Sequence, residues 1–280
     1  MLIVGSGGEP SFQRAQPLIL FKAPQNYSDV GDRERFMKLM DNTVLITGGG
    51  SGIGLAFAEM FLELGNRVII CGRNRVKLEA VKRRHAALTV LPCDLTDPHS
   101  RAGLVEIIKE KFSDLNILVN NAGIQHTYRF ADGEDHGAKI DEEIAANFTS
   151  HVRLTDALLP LLLKKPQAAL VNISSALSRV PKESAPVYCA TKAGIHVFSQ
   201  ALRYQLEKTS VKVFEVVPAL VDTAMTAGRG RRKISPKAVA QEAIQGLRRD
   251  RYYIRVGKTK LLFAIHRLIP SLADWIIRKG

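Results

Sequence analysis

The chain reads as one α/β domain: a doubly wound, parallel, seven-stranded sheet with helices on both faces. Three observations predict it. Short apolar runs at about 43–47, 67–71, 88–91, 115–120, 168–173, 211–217 and 251–256 alternate with helical stretches, the pattern of a parallel sheet covered on both sides. The first run opens into a glycine-rich turn that leads straight into a helix. The 280 residues show no break in composition that would separate two cores, so one domain of about 240 residues is expected.

Taken in order, Asn42-Thr43-Val44-Leu45-Ile46-Thr47 is β-branched and apolar, as a buried strand should be. Gly48-Gly49-Gly50-Ser51-Gly52-Ile53-Gly54 follows, then the helical pattern from Leu55 to Leu62. Strand, glycine turn and helix is the context a dinucleotide site requires. Gly48 permits the tight turn, Gly52 lets backbone approach a pyrophosphate at the helix N-terminus, and Gly54 lets the helix pack on the strand. Ser51 and Ile53 lie in the same cradle. This is the Rossmann-like arrangement, with the cofactor beyond the carboxyl ends of the strands.

The second strand ends at Cys71 and continues Gly72-Arg73-Asn74. An acid at this point would serve the ribose hydroxyls of NAD(H). None is present, and the Arg73 guanidinium suits a 2′-phosphate. NADP(H) is therefore preferred and NAD(H) is the alternative; Arg73 as a merely solvated arginine is the other reading. After the third strand, Asp94 and Leu95 are placed to meet an adenine, although Asp also starts turns. The fourth strand leaves through Asn120-Asn121-Ala122-Gly123, small enough for a flat ligand to pack closely.

Tyr188 and Lys192 stand one helical turn apart and leave the same face. An ammonium beside a phenol favours the phenolate, so the pair predicts a tyrosine of lowered pKa suited to proton transfer. The seven histidines are scattered without a zinc-ligand spacing, and no metal is expected. His85, His126, His151 and His196 read as surface or packing residues.

Together, Thr47-Gly48-x-x-x-Gly52-Ile53-Gly54, Asn120-Asn121-Ala122-Gly123 and Tyr188-x-x-x-Lys192 resemble the single-domain branch of the short-chain dehydrogenase/reductases, from about Asn42 to Thr223. The phrases at 61–66, 120–125 and 187–192 are similar to the bacterial DltE-like oxidoreductases. The resemblance implies a catalytic set of Asn147, Ser175, Tyr188 and Lys192. Ser175 would bind the substrate oxygen, Tyr188 pass the proton, Lys192 hold the nicotinamide ribose, and Asn147 order a water. Ser174 is adjacent, and spacing alone separates it from Ser175. Val221 and Thr223 match positions that meet the nicotinamide carboxamide. Ala219 replaces the family's usual glycine, which would be strained if that position needed positive φ. The implied activity is hydride exchange between a nicotinamide cofactor and a carbonyl or secondary alcohol. A cofactor-binding regulator without turnover and a peripheral membrane protein are the alternatives. The family also implies a homodimer or homotetramer.

Residues 1–40 are expected to form a flexible extension, or an arm on a partner subunit, ahead of a catalytic domain at 41–257. Met37 or Met40 could be the start. The formal charge is +13, and fourteen Lys/Arg against three Asp/Glu fall between Gly228 and Gly280. That basic, amphipathic end (258–280) could lie on an anionic membrane surface or pack on the domain, and the basic stretch at 229–233 could favour an acidic substrate. Nucleic acid is not an expected partner. Three cysteines without framework spacing predict reduced thiols and a cytoplasmic setting.

Overall fold

A computed structural model describes residues 36–230 and 232–278. The expected extension falls mostly outside them. The packed chain begins ahead of Asp41, because Met37 and Leu39 are already buried in the core.

The first strand, β1 (Thr43–Thr47), is buried at every position. It feeds α1 (Gly52–Glu63), then β2 (Arg67–Gly72), α2 (Arg75–Arg84), β3 (Thr89–Pro92) and α3 (Pro98–Lys111). Next come β4 (Leu115–Asn120), α4 (Gly137–Ile144), α5 (Ser150–Leu162) and β5 (Ala168–Ile173). The chain ends with α6 (Pro186–Gln205), β6 (Val211–Val217), α7 (Pro236–Arg248), β7 (Tyr253–Arg255), α8 (Thr259–Leu268) and α9 (Pro270–Arg278). Among the described residues the sheet has seven strands in the order β3-β2-β1-β4-β5-β6-β7, all parallel. The strand order therefore reverses between β1 and β4, which opens a crevice at their carboxyl ends.

Local chemistry sets the helix starts. Asn74 accepts from Lys77 N, Asp97 precedes Pro98 and accepts from Ser100 N, and Ser235 precedes Pro236 and accepts from Ala238 N. Two apolar clusters cover the sheet, one beneath α1 and α7 and one beneath α3 and α5. A third joins Ala176, Val180 and Val217 to Phe263 of α8 and Ala273 of α9. The basic terminus thus packs on the domain, behind the segment that follows β5.

Candidate active site

The glycine turn lies at the crevice. Gly48 has φ +66° and sits against Asn121 and Ala122. At Gly54 a Cβ would fall 2.4 Å from Gly48 O and 2.5 Å from Asn121 Nδ2, so any side chain would push helix from strand. Ser51 caps α1 with no side-chain bond, and the first turn holds no acid. The amide groups at this helix start are thus left without a side-chain acceptor, which fits a pyrophosphate. Thr47 Oγ accepts from Asn121 N at 2.8 Å and Ala122 N at 3.0 Å, and Asn121 Nδ2 donates to Thr47 O at 2.8 Å. Asn121 therefore staples β4 to β1. Thr223 packs against Gly52 from the opposite side, and Val221 is buried. Ala219 is not in the left-handed region, so alanine carries no strain there.

At one end of the crevice, Asp94 Oδ1 accepts from Thr96 N at 2.9 Å and Thr96 Oγ at 2.7 Å. Burial pushes this carboxyl up, but the two Thr96 bonds and the nearby Arg73 charge outweigh it and leave its pKa below the ordinary value. Leu95 is buried beside it, and its carbonyl accepts from Arg101 at 2.6 Å. Arg73 follows β2, is more than half exposed, and pairs with Glu142 of α4 at 3.0 Å. Asn74 spends its side chain on capping α2.

Tyr188, Lys192, Ser175 and Asn147 converge at the other end. Ser175 acts on the Tyr188 phenol and lowers its pKa, while its Oγ accepts from Leu177 N at 3.1 Å. Its neighbour Ser174 turns inward and donates to buried Glu215 at 2.5 Å, so the two serines face different partners. Asn147 lies in one π-helical turn, Ala145–Thr149, between α4 and α5. That wide turn aims its amide across the crevice, accepting from Ile124 N at 2.8 Å and donating to Ile124 O at 2.9 Å. A Cβ on Gly123 would lie 3.0 Å from Asn147 Oδ1 and 3.7 Å from Lys192 Nζ, so a bare backbone lets both reach the same spot.

The phenol differs from expectation in this state. Burial pushes Tyr188 up to about 12, and the nearby Ser175 side chain only partly offsets it. Lys192 is itself held down to about 8 by burial, and it donates to Ile173 O at 2.9 Å with Nζ 5.8 Å from the Tyr188 ring centre. Desolvation dominates, and the influences that lower the phenol come from Ser175 and the Arg229 charge.

Residues not anticipated from sequence complete the setting. Glu143 is fully buried and accepts from His126 N at 2.7 Å and Tyr128 Oη at 3.2 Å. His151 is buried in α5 and donates from Nε2 to Ala122 O at 2.7 Å. Below the site, Asn120 Nδ2 donates to Asn172 Oδ1, and Asn172 Nδ2 donates to Ser199 Oγ, both at 2.9 Å. Pairing of β4 with β5 is the only signal that brings those asparagines together, and it is not local in sequence. Among the described residues one grouping, Asp132, Glu134 and His136, has metal-capable atoms within 4.8 Å, but His136 Nε2 is already bonded to Arg129 O and Asp132.

The short chain dehydrogenase family profile matches residues 42–233. The chain belongs to the short-chain dehydrogenase family. The uncharacterized oxidoreductase DltE of Bacillus subtilis is 42% identical over 224 residues, spanning 78% of this dehydrogenase and 89% of DltE. A short-chain dehydrogenase from Sphingobium yanoikuyae, solved with NADPH, is 29% identical, with TM-score 0.71 over 82% of this chain and 95% of its own. A short-chain dehydrogenase/reductase from Burkholderia phymatum, solved with NAD, has TM-score 0.76 at 18% identity, covering 88% and 98% of the two chains, and shares the fold. The dehydrogenase is thus an oxidoreductase of the nicotinamide-dependent kind.

Proposed function

We propose that this dehydrogenase exchanges hydride between NADP(H) and a small carbonyl or secondary alcohol, with Tyr188 as general acid and base. The observation that carries the reading is Lys192 and Asn147 converging at the Gly123 backbone, with Lys192 Nζ 5.8 Å from the Tyr188 ring centre and Ser175 acting on that phenol. The nicotinamide, when bound, supplies or takes the hydride. Ser175 would hold the substrate oxygen, and Tyr188 would deliver its proton to that oxygen in reduction and remove it in oxidation. Lys192 would exchange its bond to Ile173 O for the ribose and hold the proton path with Asn147. The full set of four argues against a binding module without turnover, which needs no such proton path. Tyr188→Phe removes the proton donor and keeps the ring. It is expected to lower carbonyl reduction by a hundredfold or more, roughly the worth of general acid catalysis, while NADPH affinity stays level. Equal rates for variant and wild type on a broad carbonyl panel would remove the assignment.

For the cofactor, the absence of an acid after β2, the presence of Arg73 and the NADPH held by the Sphingobium relative support NADP(H). Glu142 must then yield Arg73 to the 2′-phosphate. Wild type is expected to bind NADPH at least about tenfold tighter than NADH, and Arg73→Ala to erase that margin, as fits loss of one charge-assisted contact. Equal affinity in the wild type ends the preference. Reduced, buried cysteines support a cytoplasmic setting. Exposed Val197 and Tyr204 on α6 support a homodimer or homotetramer.

A second reading concerns the C-terminal helices. Leu268 and Trp275 are 79% and 78% exposed, beside Lys260, Arg267 and Arg278. An apolar face flanked by cations suits an anionic membrane surface.

A further inference from the structure

After β6 ends at Val217, the chain makes a loop between Val221 and Ile234, both outside the named strands. Its base is closed where Val221 and Ile234 form a bridge and Asp222 N donates to Ile234 O at 2.8 Å. Arg229 is carried on this loop, with its own amide bonded to Thr226 O at 3.0 Å. Its guanidinium crosses to Gln125, just beyond the Asn120–Gly123 turn, at 2.6 Å. Lys182 comes from the other side, on the stretch between Ser175 and α6, where its backbone N meets the thiol of Cys189, next to Tyr188, at 3.3 Å.

Both cations are half-buried. Lys182 is held below its usual pKa first by burial and then by the Arg229 charge. The Arg229 charge also reaches the Tyr188 phenol. Among the described residues neither cation has a carboxylate partner. The nearby buried acid, Glu143, is spent on His126 and Tyr128, and Glu183 is spent on Arg129 and Arg278. Two like charges that feel each other, partly desolvated and without a carboxylate partner among the described residues, oppose folding. Such an arrangement is retained where a ligand completes it.

We infer that the substrate carries an oxyanion, a carboxylate or a phosphate, and that Arg229 and Lys182 bind it at the mouth beside Tyr188. This deepens the oxidoreductase reading and rests on it. Arg229 offers a planar fork suited to either oxyanion, and Lys182 adds a point charge. Gln125 holds the guanidinium in place until the anion arrives.

The test compares matched substrates with NADPH: 4-oxopentanoate against 2-pentanone, and dihydroxyacetone phosphate against dihydroxyacetone. The wild type is expected to favour at least one charged member by roughly tenfold to a hundredfold in kcat/KM, the worth of a hydrogen bond to a charged group. Which pair shows it separates carboxylate from phosphate. Arg229→Ala should erase the preference chiefly through KM, Arg229→Lys should restore part of it, and Lys182→Met should reduce it. NADPH affinity should stay level in all three. A wild type that reduces both members of each pair equally well overturns the inference and leaves the oxidoreductase reading standing. A loss of NADPH affinity in Arg229→Ala as large as its loss of turnover also overturns it, because the cation would then serve the cofactor. A second readout needs no turnover. Either anion should raise the melting temperature of the NADP⁺-loaded wild type and not of loaded Arg229→Ala, and no shift in either protein overturns the inference. Failure to bind NADPH at all would take the underlying reading down with it.

Discussion

At the scale of single residues, burial decides more than proximity. Tyr188 and Lys192 are neighbours on α6, yet the phenol is pushed up to about 12 and the ammonium down to about 8, each by loss of water. A phenol held this high keeps its proton across neutral pH. His151 is a second case. Burial, then the Lys192 charge, hold it down to about 3, and its Nε2–H is committed to Ala122 O. The folded state binds it neutral, while the unfolded chain protonates it below about pH 6.5. Its contribution is therefore complete above that pH and is lost as pH falls toward 3, a drop on the order of 4 kcal/mol. His151→Gln keeps a donor and cannot protonate. Its acid unfolding midpoint is expected at lower pH than that of the wild type in circular dichroism titration, and coincident midpoints would reject the account.

At the scale of elements, the site is built where regular structure is interrupted. The π turn at Ala145–Thr149 explains an asparagine within a helix, a residue type that helix propensity disfavours. The glycine turn brings α1 so close to β1 that Gly54 has room for hydrogen only. Gly54→Ala sets a methyl group against fixed backbone, with an expected cost of about 1–3 kcal/mol and a more than tenfold loss of NADPH affinity. Thermal melting and cofactor titration measure both, and a variant unchanged in each would show that the turn gives way. The positions of Gly48, Gly52 and Gly54 were legible because strand, turn and helix follow one another without a gap. The Asn120–Asn172–Ser199 ladder was not, because its members are joined only by sheet register and helix packing.

At the scale of the whole molecule, charge and apolar surface collect at one end. Phe263 and Ala273 seat α8 and α9 on the segment after β5, and Glu183 N donates to Arg278 O at 3.1 Å while Arg278 Nε donates to Glu183 at 3.0 Å. The terminus therefore braces the segment that carries Ser175 and Lys182. Leu261, Leu268, Leu272 and Trp275 remain turned outward. No helix of the described residues is long and apolar enough to cross a membrane, so contact would be along the surface. Trp275 is the chain's single tryptophan and reports directly. Its emission is expected to shift blue with phosphatidylglycerol vesicles, to stay unchanged with phosphatidylcholine, and to revert in high salt. An unshifted spectrum in all three conditions would exclude lipid contact at this face.

Sequence by itself determined the strand positions, the glycine turn and the Tyr188–Lys192 pair, because each is written in contiguous residues whose spacing matches a strand, a turn or a helix. Tertiary structure alone decided that Ser174 meets Glu215, that burial raises the Tyr188 phenol, and that Arg229 crosses to Gln125. Those outcomes depend on which groups lose water together, and that is fixed by contacts between residues up to about a hundred positions apart.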